Sequence, residues 1–364
     1  MMTITRRQMT LAASLLPIAA VAGAASASTY VVTYVTDTNS PSRPAVIAND
    51  GTLYGETSDG IFSRPARWVG GSIVQVPGID GAFTNVSSNG QRLAGLRVRP
   101  DFSLGAVRWS AVDGYEDLTE GLTGEGLAIN NAGTLVGSSG GDAVIFDPSA
   151  SPQTLRLPGG ISGFGAQARG INDNGMVVGT ALSASGSRRA FAYTAATGVV
   201  ELQRPGGSVD ASESRANAVN ASGWVVGAAD LAGTGTTLSM LWRDGSFIDL
   251  GLAPGATSSE AVAVNALGAI VGNDTAVGPG SQGSQAWLWV DGIRRDLNDL
   301  VPGQLDAGWA IDQALSINDS EQILVRVFNS GTFDSRYAVL NIIPTPAASA
   351  TLALAGLLAM RRRR

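Results

Sequence analysis

The chain has 364 residues, 44% of them hydrophobic and 15% charged, with 47 glycines and a formal net charge of −6; this balance describes a turn-rich packed globule and excludes a disordered tail protein. There is no cysteine and no histidine, and all 24 basic residues are arginine. Disulfides, thiolate nucleophiles, imidazole bases, histidine metal sites, Schiff-base lysines and the P-loop lysine are therefore excluded together, which leaves carboxylate chemistry, oxygen-only metal sites or no chemistry.

Residues 1–27 have the three-part build of an export signal: a basic start with Arg6 and Arg7, an apolar run from Leu11 to Ala22, and small residues ending Ala25-Ser26-Ala27. Thr5-Arg6-Arg7-Gln8-Met9 resembles the twin-arginine export motif, although Thr10 breaks the hydrophobic pair that follows the arginines there. Either that route or the general secretory one is expected to carry the chain out, so export machinery is an expected partner. The next stretch, Tyr30 to Val35, is rich in Val and Tyr and reads as a strand with no neighbour yet made.

From Val46 to Leu340 the sequence repeats. The core phrase is apolar-Asn, two residues, Gly, then an apolar run closing on Gly. It appears as AINNAGTLVG from Ala128, GINDNGMVVG from Gly170, AVNASGWVVG from Ala218 and AVNALGAIVG from Ala263. Degenerate copies begin at Ile47, Val86 and Ser316. The register residues are Gly51, Gly90, Gly133, Gly175, Gly223, Gly268 and Glu321, with a mean spacing of 45. The 315 residues from Ser28 to Ile342 are seven times that length. A second landmark is the aromatic that closes a later β-rich stretch, at Trp68, Trp109, Phe146, Tyr193, Trp242 and Trp289, with Leu340 in the last copy. A turn and a short strand follow, as from Asp113, Thr197, Asp244 and Asp291.

Each unit is thus expected to be four short strands, and seven such units predict an all-β fold: a β-propeller of seven four-stranded blades spanning 28–342, with six or eight blades as alternatives. The last unit lacks its fourth strand, so the N-terminal strand is predicted to complete the last blade. Asn130, Asn172, Asn220, Asn265 and Asn318 recur three residues before the register position, where such a side chain bonds its own turn; a ring of ligand contacts is the alternative. The recurring aromatics are expected to fill the space between sheets rather than to stack sugars. The repeats resemble the HAF-type extracellular repeats of bacterial surface proteins, whose units carry A-x-x-W and I-N-x-x-G-x-V-V-G phrases. That resemblance implies a propeller-like extracellular domain and supplies no catalytic residue.

Asp210, Glu213, Asp230, Asp296 and Asp299 are candidate acids, but no spacing among them marks a hydrolase pair. Asp291, Asp296, Asn298 and Asp299, and separately Asp142 with Asp147, offer oxygen ligands for calcium without the EF-hand pattern, and no metal or cofactor is expected. Gly278–Gly283 lacks the following helix a phosphate cradle needs, and Gly159-Gly160 and Gly206-Gly207 read as repeat turns. The inserts Ala229–Thr237 and Asp274–Ser284 are expected to be ligand loops.

The chain ends in Pro344-Thr345-Pro346, fourteen uncharged residues from Ala347 to Met360, and Arg361, Arg362, Arg363 and Arg364. A helix over the uncharged stretch would be about 21 Å long, short of a bilayer's ~30 Å core, so the expected membrane association is transient, with the arginines on the cytoplasmic side. This layout over Pro344 to Arg364 resembles PEP-CTERM sorting signals, with Thr345 where the family name implies Glu. The resemblance implies tail removal by an exosortase-like sorting protease in a bacterium that secretes exopolysaccharide. Both ends together carry six arginines and no acid, so the intervening domain has a net charge of −12, which argues against nucleic acid as a partner. The function expected is that of an exported, non-catalytic surface or matrix protein binding polysaccharide or protein through propeller loops. A secreted carbohydrate-active hydrolase with acids at the channel mouth is the alternative.

Overall fold

The computed structural model describes residues 30–35, 42–58, 60, 62–76, 80–119, 122–205, 212–275 and 283–343. The export signal with Arg6, Arg7, Ala25 and Ala27, and the tail from Pro344 to Arg364, lie outside the described residues.

Every repeat folds into one antiparallel four-stranded sheet, giving seven such units among the described residues. The fifth and sixth touch through a single parallel pair, Thr237 with Ser258. The innermost strands are Arg43–Ile47, Gly81–Val86, Gly124–Ile129, Gln167–Ile171, Ser214–Val219, Ser258–Val264 and Trp309–Ile317.

The repeat phrase has a local explanation at each of its positions. The first six register residues are glycines in the left-handed region, as at Gly175 with φ 77° and Gly223 with φ 79°, and their N–H groups bond back to the carbonyl three residues earlier, that of Ala48 and Ser87 in the first two units and of the repeated Asn in the next four. Glu321 adopts the same conformation at φ 57° without the freedom glycine has. The two apolar residues that follow point to opposite faces of the sheet, as successive strand residues must. In the fourth sheet Val177 packs toward the third sheet and Val178 toward the fifth. The glycine that closes the phrase sits where two backbones approach closely. A Cβ at Gly227 would lie 2.0 Å from the Arg215 carbonyl oxygen, and one at Gly137 would lie 1.8 Å from that of Glu125.

Seven hydrophobic clusters fill seven seams. One of them joins Ile47, Leu53, Ala66 and Trp68 of the first sheet to Leu324 of the seventh, so the ring of sheets closes on itself as a β-propeller. The repeat aromatics serve these seams. Trp68, Phe146, Trp242, Trp289 and Leu340 are buried, and Trp109 packs at 5.9 Å from Phe83 of its own sheet, in the cluster that fills the seam between the first and second sheets.

The seventh sheet is completed from the other end of the chain. Tyr30–Tyr34 pairs antiparallel with Asp334–Ile342, from Tyr30 opposite Ile342 to Tyr34 opposite Ala338. Tyr30 is buried, and the Gln304 amide clamps the strand by donating to the Tyr30 carbonyl at 2.6 Å and accepting from the Val32 N–H at 2.9 Å.

The repeated asparagines do more than the turn chemistry predicts. Each Oδ1 accepts from the backbone N–H four residues on, as with Asn220 and Trp224 at 3.0 Å. Each Nδ2 also donates across a seam to the backbone of the next sheet: Asn172 to the Asn220 carbonyl at 3.0 Å, Asn220 to Asn265 at 3.0 Å, Asn265 to Asn318 at 3.1 Å, and Asn318 to Ala48 at 2.8 Å across the closure. Asn220→Ala is expected to cost roughly 2 kcal/mol, because it strands buried backbone groups on two sheets. Asn220→Asp, which keeps the acceptor but sets a carboxylate against the Asn265 carbonyl, is expected to cost at least as much. Thermal melts of the two variants check both expectations, and an unaffected N220D would remove the cross-seam bond from the account.

The expected ligand loop Ala229–Thr237 is corrected. Its ends belong to the hairpin strands Val225–Leu231 and Thr236–Arg243, held by the Thr237 hydroxyl donating to Asp230 at 2.8 Å, which leaves a four-residue tip. Of Asp274–Ser284, Asp274 and Thr275 end one strand and Ser284 begins the next, while 276–282 lie outside the described residues.

Candidate functional site

Each inner strand carries a β-bulge. A bulge leaves one residue unpaired and turns it out of the ladder. Those residues are Ala45, Thr84, Leu127, Arg169, Asn217, Val262 and, in the doubly bulged seventh strand, Asp312 and Leu315. In each sheet one of them falls six residues before the register position, and most of that set lines an axial cavity of about 340 Å³. Arg169 is the one charged side chain of the set at that position, and it is exposed into this space.

Around Arg169 lies a polar network built across three sheets. Arg169 donates to the Gln167 side-chain oxygen at 2.8 Å and lies 3.5 Å from that of Asn217. Arg215 forks onto both carboxylate oxygens of Glu260 at 2.7 Å, and Asn217 donates to the same carboxylate at 2.8 Å. A second cavity of about 260 Å³ opens between the fourth and fifth sheets, where their inner strands begin, and shares Arg169 with the first. Its other lining residues include Phe164, Arg188, Glu213 and Arg215.

Burial alone would raise the Glu260 carboxyl. The Arg215 fork and charge, the Asn217 amide and the Arg169 charge outweigh burial and hold it below the ordinary value of 4.5. A carboxylate depressed in the folded state stabilises fully above its unfolded pKa, and that contribution is lost as pH falls through the folded value. The melting temperature is therefore expected to fall as the pH drops below about 4.5. Glu260→Gln is expected to remove about 1–2 kcal/mol at pH 7 and to flatten the acid limb. Melts of both proteins between pH 3 and 7 check this, and parallel acid limbs would refute it.

The other acids singled out in the sequence do not gather. Glu213 lines the second cavity, 3.6 Å from Arg188. Asp230 accepts from Thr237 and from the Glu213 backbone N–H. Asp296 accepts from Gln285 at 2.6 Å and from Asn298, which in turn is bonded to the Ile311 backbone. Asp299 sits in the short 3-10 turn Asn298–Leu300, and Asp291 occupies a hairpin turn at φ 51°. Asp142 is gripped by Arg156 and Ser162, and Asp147 closes its own turn with Ser149. Asp210 lies outside the described residues. Among the described residues no group of three acidic side chains is placed to hold a metal ion. The carboxylates with displaced acidity, Asp101, Asp117, Asp142, Asp147 and Glu260, are all pushed down.

Sequence reasoning missed Arg169, Arg188, Arg215 and Phe164. One signal was present for the first: aligned six residues before the register position, Arg169 is the only charge among Ala, Thr, Leu, Asn and Val.

No protein-family model and no curated protein matches the chain. Among solved structures it is similar to the β-propeller domain of the Trilobed protease from Pyrococcus furiosus, described as having an open velcro topology, at 10% identity and a TM-score of 0.40 over 84% of this chain and 85% of that one. It is also similar to AofleA from Arthrobotrys oligospora, at 11% identity and a TM-score of 0.39 over 85% of each chain. A third similarity is to the Trypanosoma rangeli sialidase in complex with sialic acid, at 12% identity and a TM-score of 0.39 over 83% of this chain and 54% of that one. At such identities no residue role or activity passes from these proteins to this chain.

Proposed function

We propose that the chain is an exported cell-surface or extracellular-matrix protein that catalyses nothing and holds a polysaccharide or another surface protein at the end of the propeller where the inner strands begin. The observation that carries this reading is a contrast in chemistry. The carboxylates with displaced acidity are held in the deprotonated form by arginine forks or turn hydroxyls, which suits structural pairing and not proton transfer. The exposed groups that line the two joined cavities include Arg169 in the channel and Phe164 at the rim, which suits binding, and the exposed acids there, Asp173 and Asp319, are tied to the Asn131 and Ala266 backbone N–H groups. The export signal at 1–27 and the sorting layout from Pro344 to Arg364 support delivery to the surface, with the exosortase-like protease as processing partner.

Fractionation of producing cells with intact-mass measurement tests the localisation. Recovery in the medium or matrix, at a mass lacking both ends, is the expected result. An uncut chain retained with the inner membrane would overturn it. Incubation with polysaccharides is expected to release no new reducing ends, and release would move the assignment to the hydrolase alternative.

A further inference from the structure

We infer that the cavity between the fourth and fifth sheets is a binding site for an acidic sugar, in which Arg169 and Arg188 receive the carboxylate of a uronate residue and Phe164 packs against the apolar face of its ring. This deepens the polysaccharide-binding reading above and rests on it.

The cavity runs against the charge of the molecule. The domain is acidic overall, yet the charged lining here is three arginines and one glutamate. The three arginines are not equally committed. Arg215 spends both arms of its fork on Glu260. Arg188 is half exposed and meets Glu213 at 3.6 Å, too long for a tight hydrogen bond. Arg169 bonds only neutral groups, Gln167 and Asn217, and has no carboxylate within 4 Å among the described residues. Desolvation by the channel walls lowers its pKa, and the charges of Arg215 and Arg188 add to that effect against the opposing pull of the more distant Glu260 and Glu125 carboxylates. A carboxylate arriving beside it would relieve both the repulsion and the lost hydration. Guanidinium groups suit this task because their planar donors match a carboxylate.

Phe164 is 95% exposed, although a phenyl ring left in water forgoes the gain from burial. Its segment is nonetheless anchored. Gly163 donates its N–H to the Gly141 carbonyl at 2.8 Å, and Ala166, two residues after Phe164, is buried. Gly165, at φ 102°, lies under the Arg188 guanidinium, where a Cβ would stand 2.7 Å from Nε. The loop that carries the ring therefore runs against the strand residue that carries the cation, and both line the same cavity. A sugar has a flat face of C–H groups that pack on an aromatic ring, and a uronate adds a carboxylate at the ring's edge. The 260 Å³ volume is just under the ~300 Å³ lower end of ligand pockets, so it takes one sugar unit while the rest of the polymer lies along the rim. An acidic peptide would satisfy the arginines but leave the exposed ring without a matching flat face.

The test is calorimetric titration of the purified full-length chain with oligogalacturonate and with alginate oligomers, with dextran as the neutral sugar and poly-glutamate as the acidic peptide. Binding to a uronate oligomer that weakens with added salt is expected. Arg169→Gln and Arg188→Gln are each expected to weaken it at least tenfold. Phe164→Ala, at an exposed position that leaves the melting temperature unchanged, is expected to weaken it severalfold. Uronate binding that ignores all three substitutions would overturn the site while leaving a polysaccharide-binding function in place. Equal affinity for dextran would overturn the acidic-sugar class but not that function. Binding of poly-glutamate without either uronate would make the ligand a peptide, and binding of none of the four probes would overturn the inference. The fractionation above tests delivery to the surface independently of all these outcomes.

Discussion

A chain lacking Tyr30–Val35 is expected to lose its cooperative thermal transition at ordinary temperatures. The missing strand contributes five paired residues to the seventh sheet and a buried Tyr30 to the largest of the seven clusters, against which Val32 and Tyr34 also pack. Deleting one large buried aromatic side chain alone costs roughly 3–5 kcal/mol. Whole domains are stable by only about 5–15 kcal/mol. Removal also exposes the edge of Asp334–Ile342, which is then free to pair with another chain. Circular dichroism melts with light scattering are expected to show a strongly lowered or absent transition together with association. An unchanged melting temperature would mean that the ring does not depend on joining the two ends of the domain.

Gly227→Ala carries the second large effect. The added methyl would stand 2.0 Å from the Arg215 carbonyl oxygen and 2.9 Å from the Ala216 Cα, distances that no side-chain adjustment relieves because both atoms are backbone. The strand cannot retreat, since Val225 and Val226 beside it fill seams on opposite faces. A cost of about 3 kcal/mol or more follows from such overpacking. The bulge between Ala216 and Ala218 faces this glycine, so the substitution is also expected to displace Asn217 from Glu260 and to disturb the network around Arg169. Gly198→Ala is a useful comparison, since it sits in a hairpin turn at φ 68° with nothing within 4 Å of the added Cβ, and only the backbone preference opposes it. If the two variants melted together, close backbone approach would not be the reason for the repeated glycine. The seventh sheet carries Val325 opposite Ala314 at this place, and its inner strand has a second bulge.

The repeat could be read because its signals act over a few residues. The left-handed turn at each register glycine, the alternation of paired apolar residues and the recurring aromatic are consequences of backbone geometry and strand period. The surplus strand at the N-terminus and the missing one at the end could be matched by counting, and Tyr30–Tyr34 does pair with Asp334–Ile342. The asparagines were legible only in part. Their bonds to their own turns follow from local chemistry, whereas the donation of Asn318 to the Ala48 carbonyl joins residues 270 positions apart.

The cavity was less legible still. None of these bulge residues at the channel wall is fully buried, so packing restricts them less than the core positions and Ala, Thr, Leu, Arg, Asn and Val all occur there. The stretch Ala229–Thr237 looked like a loop because its composition is small and polar, and the pairing of Asp230 with Thr237 made most of it strand. By itself, then, the sequence determined the unit and pointed to the pairing of the two ends, because both depend on spacing along the chain, while the choice of seven units over six or eight came from the structure. Only the tertiary structure decided that Arg169 and Arg215 on inner strands of neighbouring sheets, Arg188 on a third strand and Phe164 on a loop line one cavity. Their meeting depends on how far each strand lies from the axis of the ring, a distance set by the packing of all seven seams and not by any local run of residues.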